Sequence, residues 1–349
     1  MVRMKSSVRR YGFSIGVAVM LAACSSQSAS TSSASTPSDS PAVVSDPTEL
    51  VSCSPEHMRA CFGELQRVAG TAQIENKGVD GWQAAFEGGP AIEAELSRPH
   101  FVMADAAGNL FIADKDAHAI RKIDPAGSIT TVAAAPDVKS PNGLWVGESG
   151  VVYILDLGHS AIRRLEPQGA LTTLFEVPQG ISIGRGLWVS DDETEAYVAS
   201  NTEVLRWTPQ AGVQVHAGGF RSLGNLALDP DGNLVVTDRA AGRVFRLASD
   251  GTGTPIAGNG ERSGGGDGSP ALETSLRGVR ALWFDTSGGY FLGTHESDSI
   301  WFVDPSGNIH RFAGPPQLSE VRGLSLDTAG NLLVVDHDGG RIWRAERRP

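Results

Sequence analysis

Short apolar runs alternate along this chain with acidic turns that end in glycine, and the pattern returns about every forty residues. Clear copies are PHFVMADAAGNLFIAD (Pro99 to Asp114), GNLALDPDGNLVVTD (Gly224 to Asp238) and VRGLSLDTAGNLLVVD (Val321 to Asp336). Each copy resolves into four short strands, a to d. In the first, a is Phe101–Ala104, b is Asn109–Ala113, c is Ala119–Ile123 and d is Ile129–Val132. The a–b connection Asp105-Ala-Ala-Gly108 and the c–d connection Asp124-Pro-Ala-Gly127 have hairpin chemistry: an Asp carboxylate caps the turn and a Gly three residues on takes the unusual backbone angles. The same element recurs from Asp229, Asp285, Asp304 and Asp327. It lacks the terminal Glu and ligand spacing of an EF-hand loop, so these Asp residues read as turn formers rather than calcium ligands.

Inner strands beginning near Phe101, Gly143, Gly186, Asn225, Ala281 and Gly323 predict an all-β, six-bladed propeller of four-stranded blades. The last repeat stops after three strands, at Ile342-Trp343-Arg344. Leu65-Gln-Arg-Val-Ala69 resembles the d strands Thr130–Ala133 and Thr254–Ala257, which predicts that an N-terminal strand closes the last blade and removes an open sheet edge. Residues 62–70 are then expected to be essential for folding.

The repeat resembles the NHL family of six-bladed propellers. The segment AGTAQIENKGVDGWQAAFEGGPAIEAELSRPHFVMADAAGNLFIADKDAHAIRKIDPAGSITTVA follows that family's pattern, and AGNGERSGGGDGSPALETSLRGV carries a second copy of its loop. The glycine tract Gly264–Gly268 lacks the Lys-Ser/Thr ending of a phosphate loop; its alignment with Gly88-Gly-Pro-Ala91 makes it a blade-to-blade connection. Blades two and three diverge, with Gly147 and Ser190 in place of the Asp after strand a. The resemblance covers about residues 64–346 and implies an interaction platform.

In a propeller the d-to-a connections and b-to-c loops emerge on one face, around the channel. The residue just ahead of the family's usual Gly is His100, Asn142, Arg185, Gly224, Arg280 and Arg322 in the six repeats. Three arginines at six equivalent positions suggest an anion site, with His100 and Asn142 as further polar groups. Alternatively each arginine pairs with a strand-b carboxylate of a neighbouring blade (Asp114, Asp156, Asp238, Asp336) and laces the ring.

Six-bladed propellers include calcium-dependent lactonases and a zinc lyase. Of the lactonase ligands only Asn142 has a counterpart, Glu148 falls towards the opposite face, and the ring supplies one imidazole, His100. The reading is therefore a binding module with no cofactor and no catalytic residue, for an envelope protein or a small anionic ligand. A metal-dependent hydrolase or lyase is the alternative. His118, His159, His295 and His337 fall in b-to-c loops, where His295-Glu296 and Asp336-His337-Asp338 want a third metal ligand. Trp145, Trp188 and Trp283 are expected to fill gaps between blades, Trp207, Trp301 and Trp343 to pack on strand c, and Trp82, in the loop 76–89, either to be placed for a partner or to belong to a loop that merely folds over the face.

The ends add location. Residues 1–23 combine Arg3, Lys5, Arg9 and Arg10 with an apolar stretch too short to span a bilayer, and Leu21-Ala22-Ala23-Cys24 looks like a lipobox with Cys24 as the lipid attachment site. Residues 24–52 form a Ser/Thr/Pro-rich tether, and 53–349 the propeller. Ser25 after the Cys points, by resemblance to lipoproteins, to an exported protein anchored by lipid at the outer membrane or cell surface. Export permits a disulfide between Cys53 and Cys61, stapling the entry segment. Without residues 1–23 the 29 basic residues fall to 25 against 40 acidic, a net charge of −15. That excess opposes nucleic-acid binding. The chain reads as a monomer.

Overall fold

The computed structural model describes residues 53–73 and 78–348. Residues 1–23, Cys24 and the tether 24–52 lie outside the described residues, as do Asn76 and Lys77 of the loop 76–89.

Six antiparallel sheets follow one another along the chain and form a propeller. Blade one comprises Pro99–Ala104, Leu110–Asp114, Ala119–Ile123 and Ile129–Ala134. The inner strands of blades two to six are Pro141–Val146, Leu187–Val189, Leu223–Leu228, Val279–Phe284 and Val321–Leu326. Every strand b is buried from end to end or nearly so, because blades pack on both of its faces. The Asp turns form as their chemistry requires: Asp105 Oδ1 accepts from the amides of Ala107 and Asn109, and Asp124 Oδ1 from those of Ala126 and Ser128. Gly108 and Gly127 take the left-handed backbone these turns need, at φ 83° and 86°.

The ring closes through Phe62–Ala69, which pairs antiparallel with Arg341–Arg347 as the outer strand of blade six. Closure also inserts Phe62 edge-on against Phe291 and Phe312 of blade five, with ring centroids 5.9 and 5.3 Å apart. Pro55–Cys61 precedes this strand as a 3-10 helix, and Cys53 is bonded to Cys61 across it. Blade five carries one element beyond the four-strand plan. Ser269–Pro270, just after the glycine tract, adds to its outer strand at Asn308 and Ile309. Pro90 makes the equivalent bridge to Ser128 in blade one, so both loops are blade connections laid along an outer edge.

The tryptophans qualify one expectation. Trp145 of blade two lies 6.1 Å from Trp283 of blade five and 6.3 Å from Trp188 of blade three, centroid to centroid. Blades two and five are opposite each other in a six-membered ring, so Trp145 and Trp283 meet across the channel, while Trp145 and Trp188 also pack against the cores between neighbouring blades. Trp82 departs from the partner reading. It stacks on the Arg121 guanidinium at 3.7 Å and packs against Phe86, which makes it a cover for strand c.

Candidate functional site

Five of the six inner strands begin with a break in the ladder, whereas blade three pairs in register from Leu187. The pairing with strand b slips between Pro99 and Phe101, Pro141 and Gly143, Val279 and Ala281, and Val321 and Gly323. The residue left over is His100, Asn142, Arg280 or Arg322. A bulge of this kind leaves one residue unpaired and re-aims its side chain, and here it turns those four residues to the channel mouth, while Arg185 lies ahead of its strand Leu187–Val189. The glycine that follows is needed for close approach: a Cβ on Gly143 would stand 2.3 Å from the Arg185 carbonyl oxygen, and one on Gly323 2.9 Å from that of His100. Gly224, the ring residue of blade four, is itself confined, since a Cβ there would meet Arg280 backbone at 2.7 Å.

His100, Asn142, Arg185 and Arg322 line one cavity of about 470 Å³, together with Arg98, Lys115, Asp116, Leu157, Ile183, His337 and Gly78. Gly78 brings the loop 76–89 to the rim, where its amide donates to Asp116 Oδ2 at 2.7 Å. Arg280 is buried beside the cavity. Its Nη1 donates to Glu320 Oε1 at 2.5 Å, and Arg322 Nε donates to the same oxygen at 2.6 Å. His295 Nδ1 comes within 2.8 Å of that oxygen, as a close contact and not a formed hydrogen bond. Burial opposes ionisation of Glu320, yet the His295 contact and the Arg322 charge outweigh it and hold the carboxyl far below the usual carboxylate range.

The strand-b carboxylates do not pair with the ring arginines. Asp114 accepts from the Ser97 amide and Arg121, Asp156 from the Lys139 amide and Arg163, and Asp336 from the amides of Ser319 and Glu320. They tie each d-to-a connection to its own blade. Neighbouring blades are joined both by side chain to backbone, as in Thr237 Oγ1 to the Arg280 carbonyl at 2.9 Å, Ser325 Oγ to that of Val102 at 2.8 Å and Asn142 Nδ2 to that of Gly184, and by side-chain pairs such as Arg280 with Glu320 and Arg98 with Asp338.

Arg185 has no such tie; its Nε and Nη1 are buried without a partner among the described residues. Burial, then the charges of Arg322 and Arg280, push its guanidinium down to about 8. His100 is similarly unserved, with both ring nitrogens buried and unpartnered. Burial and the neighbouring His337, Arg322 and Arg185 hold it well below the usual imidazole range, so it is neutral at pH 7. Asn142 Oδ1 is also without a partner. Around the mouth, Arg98, Lys115, Arg185, Arg280 and Arg322 stand against Asp116, Glu320 and Asp338, which leaves two positive charges over.

Glu320, His337 and Asp338 bring three possible ligand atoms within 4.8 Å of one another. They do not fit a cation. His337 Nε2 accepts from Arg98 Nε at 3.0 Å and Nδ1 faces the Pro99 carbonyl at 3.0 Å, so both nitrogens are engaged. Glu320 is shared by two arginines, and Asp338 accepts from Arg98.

Sequence reasoning located the ring but missed Arg98 and Glu320, which occupy one repeat position two residues ahead of it. The other four repeats have Ser140, Ile183, Ser222 and Gly278 there. Charge at an otherwise small or apolar position was the available signal.

No protein-family model and no curated protein matches the chain. Solved structures do resemble it. A Bacteroides thetaiotaomicron protein of unknown function superposes with TM-score 0.68 at 15% identity, covering 81% of this chain and 76% of its own. An auxiliary nutrient binding protein from the same organism gives TM-score 0.63 at 14% identity, with 82% and 76% covered. Virginiamycin B lyase from Staphylococcus aureus gives 0.55 at 14%, with 72% and 95% covered. At such identities these likenesses establish the propeller fold alone.

Proposed function

We propose that this chain is an exported, lipid-anchored propeller of the NHL type that binds a small anionic ligand at its channel mouth. The observation that carries the reading is Arg185: a guanidinium with two buried nitrogens lacking partners among the described residues, lining a cavity whose mouth carries two positive charges in excess, Arg185 included. Buried donors of this kind are ordinarily satisfied, and an anion supplies both the hydrogen bonds and the countercharge. The recessed cavity favours a small molecule over a flat protein surface. A protein partner would have to insert an acidic side chain or a carboxy terminus. A binding role also accords with the auxiliary nutrient binding protein that shares the fold. Membrane attachment rests on Cys24, and among the described residues no helix is long and apolar enough to cross a membrane.

The test is a thermal-shift screen of the chain against carboxylates, phosphate, sulfate, calcium and zinc, repeated with Arg185→Met. Stabilisation by an anion that vanishes in the variant is expected. Stabilisation by calcium or zinc, reversed by a chelator, overturns the reading in favour of a metal-dependent enzyme.

A further inference from the structure

Resting on the anion-site reading, we infer that the ligand is a polyhydroxy carboxylate, a sugar acid, whose carboxylate meets Arg185 and Arg322 and whose hydroxyls serve Asn142 and His100. The two sides of the cavity ask for different chemistry. Blades three and six contribute guanidinium groups, which only donate. Blades one and two contribute acceptors that nothing satisfies. Asn142 Nδ2 donates to the Gly184 carbonyl, and since a carbonyl can only accept, that bond fixes the amide orientation and leaves Oδ1 as the free acceptor. Neutral His100 has one donor and one acceptor nitrogen, neither used. Both side chains are buried, at 2% and 4% exposure.

Two unserved acceptors on adjacent blades call for a ligand with at least two protons to donate, besides its charge. Acetate and sulfate have none to give, and hydrogen phosphate, the main form of phosphate at mildly alkaline pH, has one. An N-acyl amino acid has one N–H. A sugar acid carries one carboxylate and several hydroxyls on a carbon skeleton whose C–H groups suit aliphatic contact, and Leu157 and Ile183 supply it at the cavity wall. The volume, about 470 Å³, lies in the range of small-ligand sites.

The experiment is calorimetric titration of the full chain with D-glucuronate, D-galacturonate, D-gluconate, acetate, inorganic phosphate, N-acetylalanine and glucose. At least one sugar acid should bind tenfold or more tighter than acetate, phosphate and N-acetylalanine, and glucose should not bind. Asn142→Leu should lose about tenfold towards the sugar acid, since an unsatisfied buried group is worth about 1–3 kcal/mol, and should lose less towards acetate, so that the ratio between them falls. His100→Phe should do the same and serves if Asn142→Leu fails to fold. If acetate, phosphate or N-acetylalanine equals the best sugar acid, or neither variant alters the ratio, the ligand class is wrong while the anion site stands. If no anion binds, or Arg185→Met binds them all unchanged, the anion reading itself fails.

Discussion

Replacing Arg185 by Met should make the unliganded protein more stable, although it removes a charged, hydrogen-bonding side chain. Met keeps the length of the apolar stem and removes the guanidinium, whose Nε and Nη1 are buried without partners. Leaving a buried donor unsatisfied costs about 1–3 kcal/mol, and replacing uncompensated buried charge by an apolar group of similar volume is neutral to stabilising. A gain of about 1–3 kcal/mol follows, or a rise in Tm of roughly 2–10 °C for a domain this size. The size of the gain depends on pH. Burial and the Arg322 and Arg280 charges push Arg185 down to about 8. Below pH 8 the folded and unfolded chains both carry the charge, so the cost is fully present; above it the folded protein sheds the proton first and the cost fades. The gain from Arg185→Met should therefore be largest at or below pH 7 and shrink towards pH 10. Melts followed by circular dichroism at low ionic strength, in a buffer free of phosphate and carboxylate, give both numbers. The same melts with a saturating anion should show wild type stabilised by about 2.7 kcal/mol at a hundredfold excess over Kd, and the variant not at all. A fall in Tm of several degrees for the unliganded variant would defeat the argument, because it would mean Arg185 has stabilising partners and braces the ring.

Other outcomes follow from the same contacts. Glu320→Gln removes the carboxylate shared by Arg280 and Arg322 and should destabilise by about 3–5 kcal/mol in urea unfolding; an unchanged midpoint would mean that both arginines are solvated. Phe62→Ala should cost about 3–5 kcal/mol by emptying its seat between Phe291 and Phe312, and deletion of Phe62–Ala69 should abolish the cooperative melt by exposing the edge at Arg341–Arg347. Anion affinity should be flat from pH 5.5 to 7.5, because burial and the neighbouring arginine charges keep His100 neutral and burial and Arg322 push His337 down to about 2. It should then weaken above pH 8 as Arg185 loses its proton, whereas an inflection near 6.5 would assign the charge to a histidine instead.

The repeats made the fold readable because strand, turn and period are local signals. Asp105 with Gly108 closes its turn with atoms of neighbouring residues, so nothing distant can override it. The closing strand was legible for the same reason, since Leu65–Ala69 copies a strand-d pattern. Counting one position ahead of the family's usual glycine found His100, Asn142, Arg185, Arg280 and Arg322, but not the bulge that aims all of them except Arg185, which emerges only when strand a is laid against strand b. The choice of partners was not local at all. Arg280 belongs to blade five and finds its carboxylate on Glu320, ahead of blade six, at a position where four of the repeats carry no charge. The Trp145–Trp283 contact likewise exists only because the ring closes and brings opposite blades together.

Anomalous diffraction from crystals of the chain soaked in selenate, a bare oxyanion heavy enough to locate, puts the anion site to its plainest trial. A selenium peak is expected in the mouth cavity, with oxygens within about 3 Å of Arg185 and close to Arg322 and His100. A mouth filled with ordered water hydrogen-bonded to Arg185, with selenate found only elsewhere, would contradict it.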